Sequence, residues 1–299
     1  MSIAAVMVTY NRLEKLKRAI SAYEESTLKP DYMVIINNNS TDGTTQFLEK
    51  WKNKDSSIKK IVETLKENIG GSGGFKKGLE IALSLPVDYM FIADDDAYID
   101  KGALEILNKR ISKDTSISSV CCQVVEYGDV GVAHRRIISV RKNKLLDLSV
   151  PVEEYKKEEF ELNVFSFVGC MITKDAISKA GLPRDDFFIY FDDTEYSLRI
   201  AKQGKIICLP KAKIFHDMVP QNVVLSWKNY YATRNRFLTI KEHFDKKVYK
   251  KFISKNKLLL IKDLLTFQRK SFKIRYYSIK DANRNISGIS ERFKPGKKI

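Results

Sequence analysis

The stretch DYMFIADDDAYID, residues 88–100, places three consecutive acids directly after an apolar run. The run at 90–93 is typical of a buried strand, and Asp94, Asp95 and Asp96 follow at its end. Adjacent carboxylates repel one another, so a strand end that collects them needs positive charge nearby. The stretch therefore predicts a buried strand whose carboxyl end carries a charged site.

The sequence before this stretch alternates strand and helix patterns. Apolar, β-rich runs are separated by segments with apolar residues at helical spacing. The predicted strands are 3–10, 32–38, 60–65 and 88–94, and the predicted helices are 12–26, 40–52 and 74–85. The alternation predicts an α/β domain with a mostly parallel sheet and right-handed crossovers.

Polar clusters follow each of the four predicted strands. They occupy residues 9–12, 37–40, 68–71 and 94–96. Because ligands bind at the carboxyl ends of the strands in such sheets, the clusters are expected to share one edge and one site.

The pattern after residue 100 is less regular. We predict strands at 118–127 and 165–173, a helix at 192–204, and a strand pair at 205–216 that ends at His216. Residues 128–160 have no clear pattern.

Charge divides the chain into two predicted regions. The net charge is +16, and residues 245–299 hold 17 Lys and Arg against 4 Asp and Glu. We therefore predict a catalytic domain at 1–240 and a basic helical region at 241–299. Since the remainder is close to neutral, we expect no nucleic-acid partner.

Cysteine usage and hydropathy bear on the compartment. The four cysteines lie in apolar surroundings without a C-x-x-C pair, which favours reduced thiols. No signal peptide and no stretch of about 18 apolar residues is found, so we expect a cytoplasmic protein that could lie on the inner face of the cell membrane.

The acid triplet favours a divalent cation over a solvated turn. Mg²⁺ and Mn²⁺ prefer oxygen ligands and are often held by one or two carboxylates. If the strand continues, Asp94 and Asp96 share one face, whereas Asp95 points away and should tolerate substitution best. His216 is either a further ligand or a structural histidine.

Three other segments allow both a functional and a structural interpretation. The glycines of ENIGGSGGFKKG (67–78) permit close approach to phosphate, or form a flexible turn. Asp193 could be a general base or, like Asp192, a helix cap. Arg234 in WKNYYATRNR (227–236) could clamp a diphosphate or lie on a packed helix.

Taken in order, VTYNR, NNSTDGT, NIGGSGGF, ADDDA, FDDTEYSLR and FH resemble the family 2 inverting glycosyltransferases with a GT-A fold. The resemblance covers roughly residues 1–240. It is greatest to the galactofuranosyltransferase branch and extends to some rhamnosyltransferases. The fold class it implies is α/β, a GT-A sheet flanked by helices, followed here by the basic helical extension.

The resemblance also implies roles for individual residues. The nucleobase and ribose would be bound by Thr9, Tyr10, Arg12 and Asn38, where Asn38 replaces the usual acid. The sugar-nucleotide pocket would be lined by Asn68, Gly71, Gly74 and Lys77, and Asp95 and Arg234 complete the expected donor-binding set. Asp94 and Asp96 match the D-x-D motif that holds Mn²⁺ or Mg²⁺, and His216 matches a further metal ligand. Asp193 matches the catalytic base, and Asp192 would contact the sugar.

The implied activity is transfer of galactofuranose from UDP-galactofuranose to a glycan or polyprenyl-diphosphate-linked acceptor in cell-surface glycan synthesis. Alternatives are a dTDP-rhamnose or UDP-hexopyranose donor and, in another class, a nucleotide-sugar-binding protein without catalysis. Interleaved basic and apolar residues in the C-terminal region suit an anionic membrane surface, or a helical pair packed on the domain.

Overall fold

The computed structural model describes residues 1–218 and 224–299. The first half of the chain alternates strands and helices: β1 (Ile3–Thr9), α1 (Leu13–Glu24), β2 (Tyr32–Asn37), α2 (Thr44–Lys52), β3 (Lys59–Thr64), α3 (Gly70–Leu83), β4 (Tyr89–Asp94), β5 (Ala97–Ile99), α4 (Ala103–Ile111) and β6 (Ile117–Glu126).

The second half begins with short strands and ends with helices: β7 (Asp129–Val130), β8 (Arg135–Arg141), β9 (Lys144–Ser149), β10 (Phe160–Leu162), β11 (Val164–Phe165), β12 (Cys170–Thr173), α5 (Lys174–Ala180), α6 (Asp192–Ile200), β13 (Lys205–His216), α7 (Trp227–His243), α8 (Lys246–Leu265) and α9 (Arg269–Asn283). Short 3-10 helices occur at Val132–His134, Val152–Lys156 and Glu291–Phe293.

The main sheet confirms the predicted α/β architecture. Its order is β10-β13-β6-β12-β4-β1-β2-β3, with β5 paired to β13 and β7 to β6. Strands β4, β1, β2 and β3 are parallel to one another, and β12 runs antiparallel between β4 and β6. A second sheet, of order β11-β8-β9, lies beside this one.

Strand β1 explains why the sheet is buried on both faces. Ala5 and Met7 belong to one hydrophobic cluster, and Val6 and Val8 belong to another. Alternate side chains of a strand point to opposite faces, so the apolar run supplies both clusters at once. A Cβ at Gly78 would lie 2.5 Å from Val6, so α3 packs against β1 at close range.

Three predicted elements differ in detail from the structure. Helix α3 begins at Gly70 rather than 74, and Asn68 Oδ1 accepts the Gly70 N–H at 2.8 Å just ahead of it. Residues 205–216 form one strand with a register shift, not a pair. Residues 165–173 are split between β11 and β12, which belong to different sheets.

The C-terminal region packs on the domain through part of its length. Helix α7 crosses the predicted boundary at 240, and α9 lies against it, where the Phe293 ring stacks on Tyr230 at 4.2 Å. The division into 1–240 and 241–299 stays a prediction. Among the helices of the described ranges, none has the length and apolar character required to cross a bilayer.

Candidate active site

The register of the parallel strands brings the predicted polar clusters to one edge. Thr9 pairs with Asn37, and Val8 pairs with Asp94, so these strands end at nearly the same level. We call this part of the molecule the acidic edge, defined by Asp94–Asp96 and Asp192–Asp193.

Strand β13 delivers His216 to the acid triplet. His216 pairs with Ala97 in the antiparallel register of β13 and β5, directly after Asp96. Ligating atoms of Asp94, Asp96 and His216 all lie within 4.8 Å of one another. The three residues predicted as metal ligands are therefore brought together from distant parts of the sequence.

Positive side chains from α1 and the loop before it face the triplet. Arg12 Nη1 donates to Asp95 Oδ1 at 3.1 Å and to Asp96 Oδ2 at 2.7 Å. Lys15 Nζ lies 3.5 Å from Asp96 Oδ2. The prediction that Asp95 points away is wrong, because it is 3% exposed and shares the Arg12 guanidinium with Asp96.

Burial makes the three carboxylates unequal. It raises the pKa of Asp94 to about 7, with a further contribution from Asp96. It also raises the pKa of Asp95 to about 6, although Arg12 opposes it. The pKa of Asp96 is lowered, because nearby His216, Arg12 and Lys15 outweigh its burial.

The donor set fits a hard divalent cation. Two carboxylates suit Mn²⁺ and Mg²⁺, and imidazole is a common ligand of transition-metal ions. Asp95 Oδ2 and Asp96 Oδ1 are buried without a hydrogen bond of good geometry, although His216 Nε2 lies 3.4 Å from Asp96 Oδ1. A buried carboxylate oxygen without a partner is costly, and a cation would satisfy it. Asp94, Asp96 and His216 are the residues that would hold the metal.

Asn38 forms hydrogen bonds with the glycine loop, the first part of the glycine-rich segment 67–78. These bonds correct its predicted contact with the nucleobase. It is 2% exposed; its Nδ2 donates to the Gly70 carbonyl and its Oδ1 accepts the Ile69 N–H, both at 2.9 Å. A carboxylate in this position could accept but not donate. The replacement of an acid by Asn therefore fits a structural role in this chain.

The glycine loop has one strained glycine and one open one. Gly70 has φ +80°, and a Cβ there would lie 2.1 Å from the Phe188 carbonyl oxygen. Gly71 has nothing within 4 Å of such a Cβ, so a ligand could approach it. Ser72 Oγ is buried without a hydrogen-bond partner close by.

Two predicted pocket residues make contacts within the chain. A Cβ at Gly74 would lie 2.5 Å from Val8, so this glycine serves helix–strand packing. Lys77 Nζ donates to Glu80 at 2.9 Å on the outer side of α3, about 10 Å of helix rise from its start. These contacts give Gly74 a packing role and Lys77 a surface ion pair, and their place in a donor pocket stays a prediction.

Thr9 and Tyr10 are at the edge, as expected. The Thr9 side chain is 1% exposed, and its hydroxyl has no hydrogen-bond partner. Tyr10 is 45% exposed. Asn68 remains at the loop but uses its Oδ1 on the Gly70 N–H.

The predicted base stands at the start of α6. Asp193 Oδ1 accepts the Thr194 N–H at 2.5 Å and the Thr194 hydroxyl at 3.1 Å. Burial raises the pKa of Asp193, whereas Arg136 opposes the rise. Burial and the neighbouring Asp193 raise the pKa of Asp192. The Ser72 N–H donates to the Phe188 carbonyl at 3.2 Å, so the segment ahead of the pair packs on the start of α3 at this edge of the sheet.

The segment ahead of this pair is strained and held from α7. Phe188, Tyr190 and Phe191 have φ of 66°, 62° and 67°. Asn235 Nδ2 donates to the carbonyls of Phe187 at 3.0 Å and Tyr190 at 2.8 Å. The segment that carries Asp192 and Asp193 therefore depends on α7.

Arg234 has the same structural role, which corrects its prediction as a diphosphate clamp. It is 0% exposed, and its Nη1 donates to the Gly288 carbonyl at 2.6 Å. Its Nη2 lies 3.4 Å from the Phe187 carbonyl as a further donor. The alternative of a packed helix residue is the one the structure supports.

Glu126, His134 and Ser166 were missed by sequence reasoning. Glu126 Oε1 lies 2.9 Å from His216 Nδ1 and 2.9 Å from His134 Nε2. Glu126 is separated from His216 by 90 residues and follows a strand without any motif. The only signal was an acid at the end of the strand at 118–127.

The comparisons with known proteins agree with this geometry. The family model described as glycosyl transferase family 2 matches residues 4–180. The galactofuranosyltransferase GlfT1 of Mycolicibacterium smegmatis is 22% identical over 205 residues, which are 68% of this chain and 66% of that protein. The match thus spans just under two thirds of that relative's length. The dTDP-rhamnosyl transferase RfbF of Shigella flexneri is 25% identical over 255 residues, 81% of each chain.

Solved structures show the same fold. The structure of GalNAc-T7 with UDP, GalNAc and Mn²⁺ superposes with a TM-score of 0.67 at 14% identity, covering 95% of this chain and 57% of that one. The structure of S. aureus TarS 1–349 with UDP gives a TM-score of 0.57 at 17% identity, covering 84% and 68%. Both likenesses concern the fold, whereas the family model covers more than half of the sequence. This chain therefore belongs to glycosyl transferase family 2.

Proposed function

We propose that the chain is a metal-dependent, inverting glycosyltransferase that moves a sugar from a nucleotide-sugar donor to an acceptor hydroxyl. The observation that carries the proposal is the edge that brings Asp94, Asp96 and His216 together, with the segment ahead of the buried Asp192 packed on the start of α3 beside it. On this edge, Asp95 Oδ2 and Asp96 Oδ1 are buried without a hydrogen bond of good geometry. Such atoms are rare in folded proteins, and a polar ligand would satisfy them.

The roles follow from the chemistry of transfer. A bound Mn²⁺ or Mg²⁺ supplies positive charge to the departing nucleoside diphosphate. Asp193 accepts the proton of the acceptor hydroxyl, whose oxygen attacks the anomeric carbon opposite the leaving group and inverts the configuration. Thr194 fixes the carboxylate of Asp193 through two hydrogen bonds. Arg12 adds positive charge beside the triplet.

The preferred donor is UDP-galactofuranose, because the match to GlfT1 is named for that sugar. The longer match to RfbF keeps dTDP-rhamnose as an alternative, and UDP-hexopyranoses stay open. A binding protein without catalysis is the alternative from another class. Asp193 distinguishes an enzyme from a binding protein, because a protein without catalysis does not require a buried general base.

A donor panel tests the proposal. The full chain with Mn²⁺ is incubated with UDP-galactofuranose, UDP-galactose, UDP-glucose and dTDP-rhamnose, and released nucleotide is measured. We expect one donor to be consumed, and Glu63→Gln, a matched acid substitution at the end of β3, to behave as wild type. Nucleotide binding without consumption of any donor, with glycan acceptors supplied, would favour the scaffold.

The acceptor is proposed to be a polyprenyl-diphosphate-linked glycan reached at the inner face of an anionic membrane. We define the α8 apex as residues 257–270. Its exposed apolar side chains are Leu258, Ile261, Leu264, Leu265 and Phe267, between 54% and 83% exposed. Leu258, Ile261 and Leu265 recur at helical spacing, so they form one stripe of α8.

Lysines flank this stripe on both sides. At about 100° per residue, Lys255 and Lys262 lie on one side of it and Lys257 on the other. An apolar stripe with basic borders suits the interface of an anionic bilayer. The alternative of a helical pair packed on the domain has support as well, since α9 is buried at Ile274, Ser278 and Ile279, and α8 contacts α9 and β9.

A further inference from the structure

The hydrogen bonds around His216 extend beyond the proposed metal ligands. His216 Nδ1 is 2.9 Å from Glu126 Oε1, while its Nε2 faces Asp96 Oδ1 at 3.4 Å. An ionised carboxylate only accepts, so the hydrogen in the first contact belongs to Nδ1. Nε2 is the nitrogen directed at the acid triplet, and it offers a lone pair to a cation once its own proton has left.

The same oxygen of Glu126 is held from a second direction. His134 Nε2 lies 2.9 Å from Glu126 Oε1, and His134 Nδ1 lies 2.6 Å from the Ser166 hydroxyl. The two histidine rings meet edge to face with centroids 5.2 Å apart. Glu126 is therefore fixed between two rings, and His134 is fixed in turn by Ser166.

Strand register explains this arrangement. Val125 pairs with Phe215 in the parallel register of β6 and β13, so the next residues, Glu126 and His216, end neighbouring strands. The β6–β7 hairpin then returns the chain to His134. Glu126 thus holds a fixed place relative to His216 that rests on backbone pairing.

We propose that Glu126 is a positioning residue for the metal site, and that His134 and Ser166 hold Glu126 in place. Glu126 fixes the Nδ1–H tautomer and ring orientation of His216, so that Nε2 is presented beside Asp94 and Asp96. Metal-binding histidines usually donate their other ring N–H to such a partner, and loss of it typically weakens metal binding about 10–100-fold. The inference rests on the proposed metal site and adds residues outside the ligand set.

A competing arrangement uses the same residues. Ligating atoms of Glu126, His134 and His216 also lie within 4.8 Å of one another, so a cation could sit among these three. The hydrogen bonds argue against it, because Glu126 Oε1 is already shared by both rings. The two arrangements predict different effects of substitution.

The test is a Mn²⁺ titration of the full chain, followed by electron paramagnetic resonance of the free ion. We expect Glu126→Ala to weaken Mn²⁺ binding about 10–100-fold. Glu126→Gln, whose amide oxygen can still accept, should recover much of the loss. His134→Ala should have a smaller effect, and Glu63→Ala, the matched control at the end of β3, none. Thermal unfolding of each variant checks that the domain is folded.

A second readout reports the tautomer itself. In ¹⁵N NMR of histidine side chains, the wild type saturated with diamagnetic Mg²⁺ should show His216 protonated at Nδ1 and not at Nε2, and Glu126→Ala should lose this preference. Unchanged Mn²⁺ affinity in folded Glu126→Ala would overturn the inference and leave the proposed function standing. Loss of binding in Glu126→Ala with full binding in Asp94→Asn would overturn it in favour of the competing arrangement. Absence of Mn²⁺ binding in the wild type would instead refute the proposed metal site.

Discussion

The acidic edge and the α8 apex both contain several charged side chains, which are buried at the edge and exposed to solvent at the apex. At the edge, Asp95 and Asp96 are each 3% exposed and are paired with Arg12. At the apex, Leu265 and Phe267 are 72% and 83% exposed among lysines that face solvent. Buried charges act strongly over short distances, whereas exposed charges are screened by salt. The two regions should therefore respond differently to chelation, salt and substitution.

Removing the metal with a chelator should give the largest effect, because it should affect the acidic edge and leave the α8 apex unchanged. With EDTA, we expect nucleotide release from the donor to fall to background, because the charge on the departing diphosphate is no longer neutralised. Added Mn²⁺ should restore it. Binding to phosphatidylglycerol vesicles should not change, since the apex holds no proposed ligand. Turnover that persists in EDTA would contradict the assignment of Asp94, Asp96 and His216.

Asn235→Ala should destabilise the segment that precedes Asp192 and Asp193, although Asn235 itself lies on α7. The substitution removes a donor shared by the carbonyls of Phe187, Ile189 and Tyr190, which precede the acid pair. We expect the free energy of unfolding to fall by about 2–4 kcal/mol, because buried carbonyls lose their partner. Chemical denaturation measures it, with Asn53→Ala at the exposed end of α2 as control. Equal stability of the two variants would show that α7 does not hold this segment.

Substitutions at the α8 apex should weaken binding to membranes without lowering the stability of the fold. Replacing Ile261, Leu265 and Phe267 with Gln should weaken binding to phosphatidylglycerol vesicles at least about tenfold, since buried apolar area is lost. Changing Lys255, Lys257 and Lys262 to Gln should weaken binding to these vesicles as well. In the control variant, the same loss of charge at Lys50, Lys52 and Lys54 should change vesicle binding little. Cosedimentation measures both, with phosphatidylcholine vesicles as a neutral reference.

The salt dependence of vesicle binding gives a further test of the charged residues at the apex. Binding of the wild type should decline as salt rises from about 0.05 M to about 0.5 M, because the Debye length shortens over this range. Variants that bind vesicles as wild type but change the molecular mass in solution would show that the apex is covered by a second copy. Deleting 245–299 is a poorer test, because it removes Phe293 from Tyr230 and the Gly288 carbonyl from Arg234.

The pH dependence should show the smallest effect. Burial raises the pKa of Asp193 above its ordinary 3.8, and a general base must be deprotonated to act. The value of kcat/KM should therefore rise with pH through an acid limb that lies above 3.8. Asp192→Asn removes a neighbouring negative charge and should move that limb to lower pH. A limb that moves upward would contradict the coupling of the two acids.

Local patterns predicted the parallel half of the fold well. In β1 to β4 the strand period, caps and loops all point to the same structure, and polar residues at strand ends could be placed on one edge from that alone. The proposed ligands Asp94, Asp96 and His216 were inferred from motif order, and the structure brings these three residues together. Family membership was also predicted, and the family model confirms it.

The failures have a common physical cause. Asn38 and Arg234 are polar residues in the right segments, but their side chains make contacts within the chain, and at Gly74 the absence of a side chain allows close packing on Val8. A sequence pattern shows which residues could bind a ligand and does not show which partners already use them. Glu126 was missed for the converse reason, since its partner His216 is adjacent only through strand register. Arg12 was placed at the edge, although its ion pairs with Asp95 and Asp96 could not be foreseen.

The most direct test compares wild type with Asp193→Asn in the presence of Mn²⁺. Turnover of the consumed donor and binding of its nucleotide are measured on the same preparations. We predict that turnover falls about 10²–10⁴-fold, the usual contribution of a general base, while nucleotide binding is retained. Turnover that survives the substitution would contradict the central claim that Asp193 on the acidic edge is the base of a glycosyl transfer.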